Sequence, residues 1–173
     1  RLHAQNGRVM PDREFFRQDA LTLARTLVGK LIVRSFPDGS EKRLRISETE
    51  AYCGVEDTAC HAHKGKTKRA EILWRDGGTI YVYLCYGMHN LMNIVSGREA
   101  VLIRCCEGFE GPGKLTKELS VDRSFNGLDI LECSELRIED DGTKVDIIQL
   151  PRVGIAYAEP ADREALWRFK LKK

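Results

Sequence analysis

KLIVRSFPDGSEKRLRISETEAY, residues 30–52, is the stretch on which the architecture turns. Two runs rich in branched and apolar residues, 30–36 and 41–52, flank Pro37-Asp38-Gly39-Ser40. An Asp-Gly pair in a short polar break between such runs signals a strand, a turn and a returning strand. Side chains alternate along a strand, so Ile46, Glu48, Glu50 and Tyr52 are expected on one face and Ser47, Thr49 and Ala51 on the other. A strand packed on a core does not normally choose two carboxylates and a phenol. That face reads either as the solvated side of a half-exposed sheet or as a polar pocket in which one glutamate acts as general base.

Working outward, residues 13–29 space Phe15, Phe16, Ala20, Leu21, Ala24, Leu27 and Val28 as a helix does, with Asp19 as an N-cap and Gly29 as the stop. Residues 53–77 lack periodicity and read as a long loop with room for a short helix. GTIYVYLCYGMHNLMNIVSG (78–97) predicts a second hairpin bending near Cys85-Tyr86-Gly87-Met88. AVLIRCCE (100–107) predicts a buried strand, and GPGKLTKEL (111–119) a short helix. ILECSELRIED (130–140), the Asp141-Gly142 turn and TKVDIIQL (143–150) predict a third hairpin. PRVGIAYA (151–158) reads as a further strand and ADREALWRFK (161–170) as a closing helix or turn. Strands outnumber helices and join mostly through hairpins. The expected fold is therefore α+β: one domain over 1–173, a curved, largely antiparallel sheet with flanking helices and a protruding hairpin.

With 173 residues, 42% hydrophobic and 31% charged, the chain is long enough for one real core. No apolar run approaches the ~20 residues that span a bilayer, so no membrane partner is expected. The chain opens Arg1-Leu2-His3 without Met or an apolar signal core, which points to a trimmed start. Lys and Arg total 28 against 26 for Asp and Glu, a formal charge of +2 that does not by itself suggest a polyanion partner. The charge is unevenly placed, however. ELRIEDD (135–141) is acidic, whereas HAHKGKTKRAE (61–71) and RFKLKK (168–173) are basic, so a basic face opposite an acidic one is expected. Six cysteines at irregular spacing suit a reducing interior better than a disulfide framework. Cys105-Cys106, in an apolar run, is expected to pack as small hydrophobes. Cys53, Cys60, His61 and His63 fit no common zinc spacing, so no metal is expected.

Several residues outside 45–52 carry chemistry. Tyr81 and Tyr83 share a strand face, with a core or edge role as the default for Tyr81. Tyr86 and Met88 at a hairpin bend are hard to bury in their own domain, and apolar wedges of this kind are inserted between stacked bases. Lys64, Lys66, Lys68 and Arg69 form either a solvated surface or, beside an aromatic tip, a loop that contacts phosphates.

Together these pieces resemble the alkyladenine, or methylpurine, DNA glycosylase family. The similarity runs from REFFRQDALTLARTLVGKLIVR through ETEAY, GTIYVYxxYGMxxxMNI, VLIR, GPGKL and RVGI to WRF. The resemblance implies a base-excision-repair enzyme that flips damaged purines out of duplex DNA and releases them hydrolytically without strand cleavage, using no cofactor. By the same likeness, Glu50 activates the water and Arg104 helps to hold it. Tyr52, His61, Tyr83 and Asn93 form the base pocket, and Tyr86 with Met88 fills the gap left in the stack. Lys64, Lys66, Lys68 and Arg69 contact the DNA backbone. Where the family carries a longer segment between VLIR and GPGKL, only CCEGFE (105–110) intervenes here, the loop being either absent or not included in the chain. Lys68-Arg69-Ala70-Glu71 stands where the family's basic loop ends in an arginine–asparagine pair, and His89-Asn90 where bulky residues follow its tip. A non-catalytic damage-binding module and a small zinc domain are the competing readings. A monomer is expected, intracellular: nuclear in a eukaryote, cytoplasmic or nucleoid-associated in a bacterium.

Overall fold

The computed structural model describes residues 2–5 and 8–173, with side chains from residue 9 onward. Arg1 lies outside the described residues. In chain order the elements are β1 (Leu2–Gln5), β2 (Arg8–Pro11), α1 (Arg13–Phe16), α2 (Ala20–Leu27), β3 (Leu31–Ser35), β4 (Glu41–Tyr52), β5 (Ile80–Cys85) and β6 (His89–Val95). After them come β7 (Ala100–Cys106), β8 (Phe109–Glu110), α3 (Pro112–Glu118), β9 (Leu136–Glu139), β10 (Ile147–Leu150), α4 (Pro160–Glu164) and β11 (Arg168–Leu171). The segment 53–77 forms three short 3₁₀ turns, Gly54–Glu56, His61–Lys64 and Ala70–Trp74.

Among the described residues every strand pairing is antiparallel, and with four helices the fold is α+β as expected. The long strand β4 is the hinge of the nine-stranded sheet. Its first half, Glu41 to Arg45, pairs with β3, while its second half lies between β7 and β11. The path continues from β7 through β6 to β5 on one side and from β11 to β10 on the other. One strand thus serves two differently directed parts of the sheet, which gives the sheet its curve.

The main core lies under α2. Asp19 caps that helix by accepting from Thr22 N at 2.9 Å, as its sequence position predicts. Ala20, Leu23, Ala24 and Leu27 are buried on the sheet among Ile46, Ala51, Val101, Ile103 and Phe169. Each buried leucine contributes about 1.5–3 kcal/mol. Thr49 belongs to this side as well, donating its hydroxyl to Ala24 O at 2.7 Å. The opposite side of β4 is therefore free for Glu48, Glu50 and Tyr52.

Five expectations from the sequence need correcting. Ile46 does not share the face of Glu48 and Glu50; it is buried in the α2 core, because the β4–β7 register shifts on both sides of Glu48. Residues 130–150 do not form a hairpin. β9 pairs with β3 and β10 with β11, so the Asp141-Gly142 turn joins strands that part company. Residues 151–158 form no strand but an irregular arm, and Arg168–Leu171 is a strand rather than the end of a helix. Cys106 packs in the core as expected, whereas Cys105 turns away and lies 3.5 Å from Glu48 Oε2.

The acidic segment is not a free patch either. Glu135 pairs with Arg34, Glu139 with Arg43 and Arg137, Asp140 with Lys30, and Asp141 with Arg45. Among the described residues Lys64, Lys66 and Lys68 form no ion pair, and all three are exposed. The +2 total therefore conceals arginines consumed by internal carboxylates and a lysine loop left uncompensated.

Candidate active site

A cavity of about 760 Å³ opens on the side of the sheet away from α2. Its position follows from the strand order: β4, β7, β6 and β5 lie side by side and contribute Glu50, Arg104, Asn93 and Tyr83. The loop after β4 brings in His61, and Tyr52 completes the wall. These six residues, singled out in the sequence, converge on one space.

Glu50 forms its floor, 1% exposed. Its Oε1 accepts from Tyr52 Oη at 2.9 Å and its Oε2 from Val153 N at 2.7 Å. Burial raises the carboxyl above the ordinary glutamate range, and these two hydrogen bonds with the nearby Arg104 and Arg152 charges oppose that shift. An ionised carboxylate has about four lone-pair sites, so the two donors leave room for a water. A buried carboxylate with a raised proton affinity is a stronger base than a solvated one.

The aromatic wall is continuous. The ring centroids of Tyr81 and Tyr83 are 5.2 Å apart, and those of His61 and Tyr83 are 4.7 Å apart. His61 Nδ1 lies 2.8 Å from Tyr81 Oη. Burial, followed by the charges of Arg69 and Lys64, lowers the His61 pKa to about 4, so the imidazole is neutral near pH 7. Asn93, nearly buried on β6, donates Nδ2 to Tyr81 O at 3.3 Å. Tyr81 is a core residue, as its strand position suggested, but it also holds His61 and Asn93 in place.

Arg69 belongs to this wall rather than to the lysine run. Its guanidinium lies 4.9 Å from the Tyr83 ring centroid, its Nε donates to Tyr81 Oη at 3.3 Å, and Nη2 is 3.5 Å from His61 Nε2. Lys64, Lys66 and Lys68 do not line the cavity.

At the lip, the β5–β6 turn projects Tyr86, 89% exposed, and Met88, 69% exposed. Tyr86 and Gly87 both have left-handed backbones, φ 52° and 66°, as a type I′ hairpin turn requires. For a non-glycine residue that conformation costs about 1–2 kcal/mol. Tyr86 is thus held outward against both its backbone preference and its apolar character. The returning strand is braced by Thr116 Oγ1 of α3, which donates to Asn90 O at 2.7 Å.

Sequence reasoning missed the group that orients the floor. Arg152 is fully buried and pairs with Asp57 through Nη1 at 2.6 Å and Nη2 at 3.0 Å. It also donates to Ala51 O at 3.0 Å and stacks near Tyr52 and Trp167. Asp57 in turn accepts from Cys53 N and Ala59 N, which fixes the loop that leads to His61. Arg152 thereby ties that loop to the end of β4 and sets the next residue's N–H on Glu50. Its signal lies in the RVGI motif, where a lone arginine in an apolar run gives no hint of the buried partner it needs. All six cysteines are free thiols. His63 Nδ1 bonds Val55 O, and among the described residues no group of three or more His, Cys, Asp or Glu is placed to hold a metal.

An antiparallel sheet thus carries a buried carboxylate under an aromatic cavity, with an exposed tyrosine beside its mouth, an arrangement of the enzyme class. Comparison with known proteins agrees with that class. A family model described as Methylpurine-DNA glycosylase (MPG) matches residues 14–111 and 107–173. A protein of Natranaerobius thermophilus is 40% identical over 189 residues, covering 93% of this chain and 94% of its own. Relatives from Borreliella burgdorferi strain ZS7 (42%; 93% and 95% covered) and Methanocella arvoryzae (41%; 93% and 91%) are similar, and all three bear the name "Putative 3-methyladenine DNA glycosylase". The chain belongs to the methylpurine-DNA glycosylase family and is a DNA glycosylase. An alignment of 189 residues exceeds the 173 of this chain, so the relative carries residues missing here. The two matched segments meet at 107–111, where β7 turns directly into β8.

Proposed function

We propose that the chain removes alkylated or deaminated purines, such as 3-methyladenine, hypoxanthine and ethenoadenine, from duplex DNA by base flipping and hydrolysis. Glu50 is the general base. It takes a proton from a water that attacks the sugar carbon as the glycosidic bond breaks, and its negative charge stabilises the positive charge developing on the sugar. Arg104, at the cavity wall beside it, helps to hold that water. Tyr52, Tyr83 and neutral His61 grip the extruded base, with each aromatic contact to an electron-poor ring contributing about 0.5–2 kcal/mol. The amide of Asn93 reads the exocyclic group, Tyr86 and Met88 fill the vacated stack, and Lys64, Lys66 and Lys68 follow the phosphates. Lys114 lines the cavity, but the group oriented by two donors at its floor is the Glu50 carboxylate, which favours a monofunctional hydrolase over a Schiff-base lyase. The chain acts as a monomer wherever the cell keeps its DNA.

The observation that carries this reading is the buried Glu50, oriented by two donors at the floor of an aromatic cavity. The test is a single-turnover assay on duplexes containing one alkylated, deaminated or etheno purine. Release of free base, with strand breaks appearing only after alkali, is expected. Tight binding without release would instead establish the non-catalytic damage-binding module.

A further inference from the structure

We infer that Glu48 is a positioning residue for the glycosylase reaction: it holds the Arg104 guanidinium at the cavity wall and keeps it from closing onto Glu50. The inference rests on the roles proposed above for Glu50 and Arg104.

Glu48 is 4% exposed and lies two residues before Glu50 on the same face of β4. A carboxylate buried that deeply requires compensation, and Glu48 has two arginines. Arg104 Nε is 2.7 Å from Oε2, an ion pair by charge and distance without hydrogen-bond alignment, while Arg168 Nη1 of β11 donates to Oε1 at 3.2 Å. Of the two, only Arg104 also lines the cavity. The backbone is irregular at this point and nowhere else along the β4–β7 pair. Ile46 faces Cys106, Glu48 faces Cys105 and Thr49 faces Ile103, so Ser47 on one strand and Arg104 on the other have no register partner. Bulges re-aim side chains, and this one releases Arg104 from the alternation that governs its neighbours. Glu48 lies behind the cavity, not in its lining, so Arg104 connects a buried carboxylate outside the cavity, through an ion pair, to the one at its floor, through its charge. Arg104 acts on Glu50 through its charge, but its ion pair is with Glu48. Without Glu48, Arg104 keeps one buried carboxylate whose charge it already acts on, Glu50, and direct pairing would occupy the lone pairs that a water needs.

A purely structural Glu48 would affect folding alone. A positioning Glu48 affects the chemical step through Arg104, and a double-mutant cycle separates these cases. The experiment measures single-turnover base release, affinity for a duplex carrying an abasic-site analogue, and melting temperature for Glu48→Gln, Arg104→Gln and the double variant. Expected are a loss of about 10–100-fold in release rate for Glu48→Gln, abasic-duplex affinity within about 2-fold of the parent, and a double variant no slower than Arg104→Gln. If Glu48→Gln does not fold, Glu48→Asp keeps the charge but shortens its reach, and the same cycle is run with it. A slow Arg104→Gln beside a Glu48 variant of parental rate overturns the role of Glu48 alone, as do independent losses that multiply in the double variant. A parental rate in Arg104→Gln overturns the assignment of Arg104 itself, and with it the inference.

Discussion

At the cavity floor Glu50 is almost wholly buried, and each of its oxygens accepts a hydrogen bond from the fold. At the hairpin tip Tyr86 stands almost fully in solvent on a left-handed backbone. The floor is completed by its own chain: Val153 N, Tyr52 and the Arg152–Asp57 pair settle its geometry before any ligand arrives. The tip holds an aromatic ring where neither water nor its own backbone favours it. On the proposed function, the internally satisfied floor is where the chemistry occurs and the apolar tip left in solvent is where DNA enters. The two regions should accordingly fail in different ways.

The largest expected difference comes from Glu50→Gln. Base release should slow by about 10²–10⁴-fold, while affinity for an abasic-site duplex is retained. The fold should not be weakened. Folding raises the Glu50 pKa, so stability is lost as pH rises from the unfolded value through the folded one, and a neutral amide avoids that loss. A lower melting temperature together with a normal rate would reverse both assignments. Next is Arg152→Met, which leaves Asp57 buried without its counter-charge. Denaturant titration should show a loss of about 3–5 kcal/mol; an unchanged midpoint would mean that the floor does not depend on this pair. Tyr86→Ser should do the converse, weakening binding to lesion and abasic duplexes by about 1–3 kcal/mol with stability changed by less than about 0.5 kcal/mol. Unchanged affinity with a lowered melting temperature would place Tyr86 in the core. The smallest effect belongs to Lys68→Ala, for which the slope of log affinity against log salt should become shallower by about 0.9. An identical slope would remove Lys68 from the phosphate path.

Much of this contrast was legible in the sequence because it rests on local pattern. Alternation along residues 41–52 and the bend at Tyr86-Gly87 are properties of neighbouring residues, and Asp19 caps its helix three residues away. The failures were non-local. An Asp-Gly turn at 141–142 says nothing about β9 finding β3 or β10 finding β11, more than a hundred residues away in the first case. The double register shift around Glu48 moves Ile46 to the other face, and strict alternation cannot foresee a bulge. The donor on Glu50 is a backbone N–H, which no side-chain motif reveals, and the arginine that aims it looked like an ordinary strand residue. Net charge misled in the same way, since the pairing of Lys30, Arg34, Arg43, Arg45 and Arg137 with the 135–141 acids exists only in the folded chain.

The assignment of Glu50 as the base is tested most directly by the single-turnover rate of base release across about pH 5 to 8, in the parent and in Glu50→Gln. Loss of the carboxylate by protonation should slow the parent as pH falls through a value above the ordinary glutamate range. His61, with a pKa of about 4, stays neutral throughout and adds no limb of its own. Glu50→Gln should lose both the rate and the limb. A Glu50→Gln variant that keeps the parental rate and the same fall toward acid pH would contradict the role of Glu50.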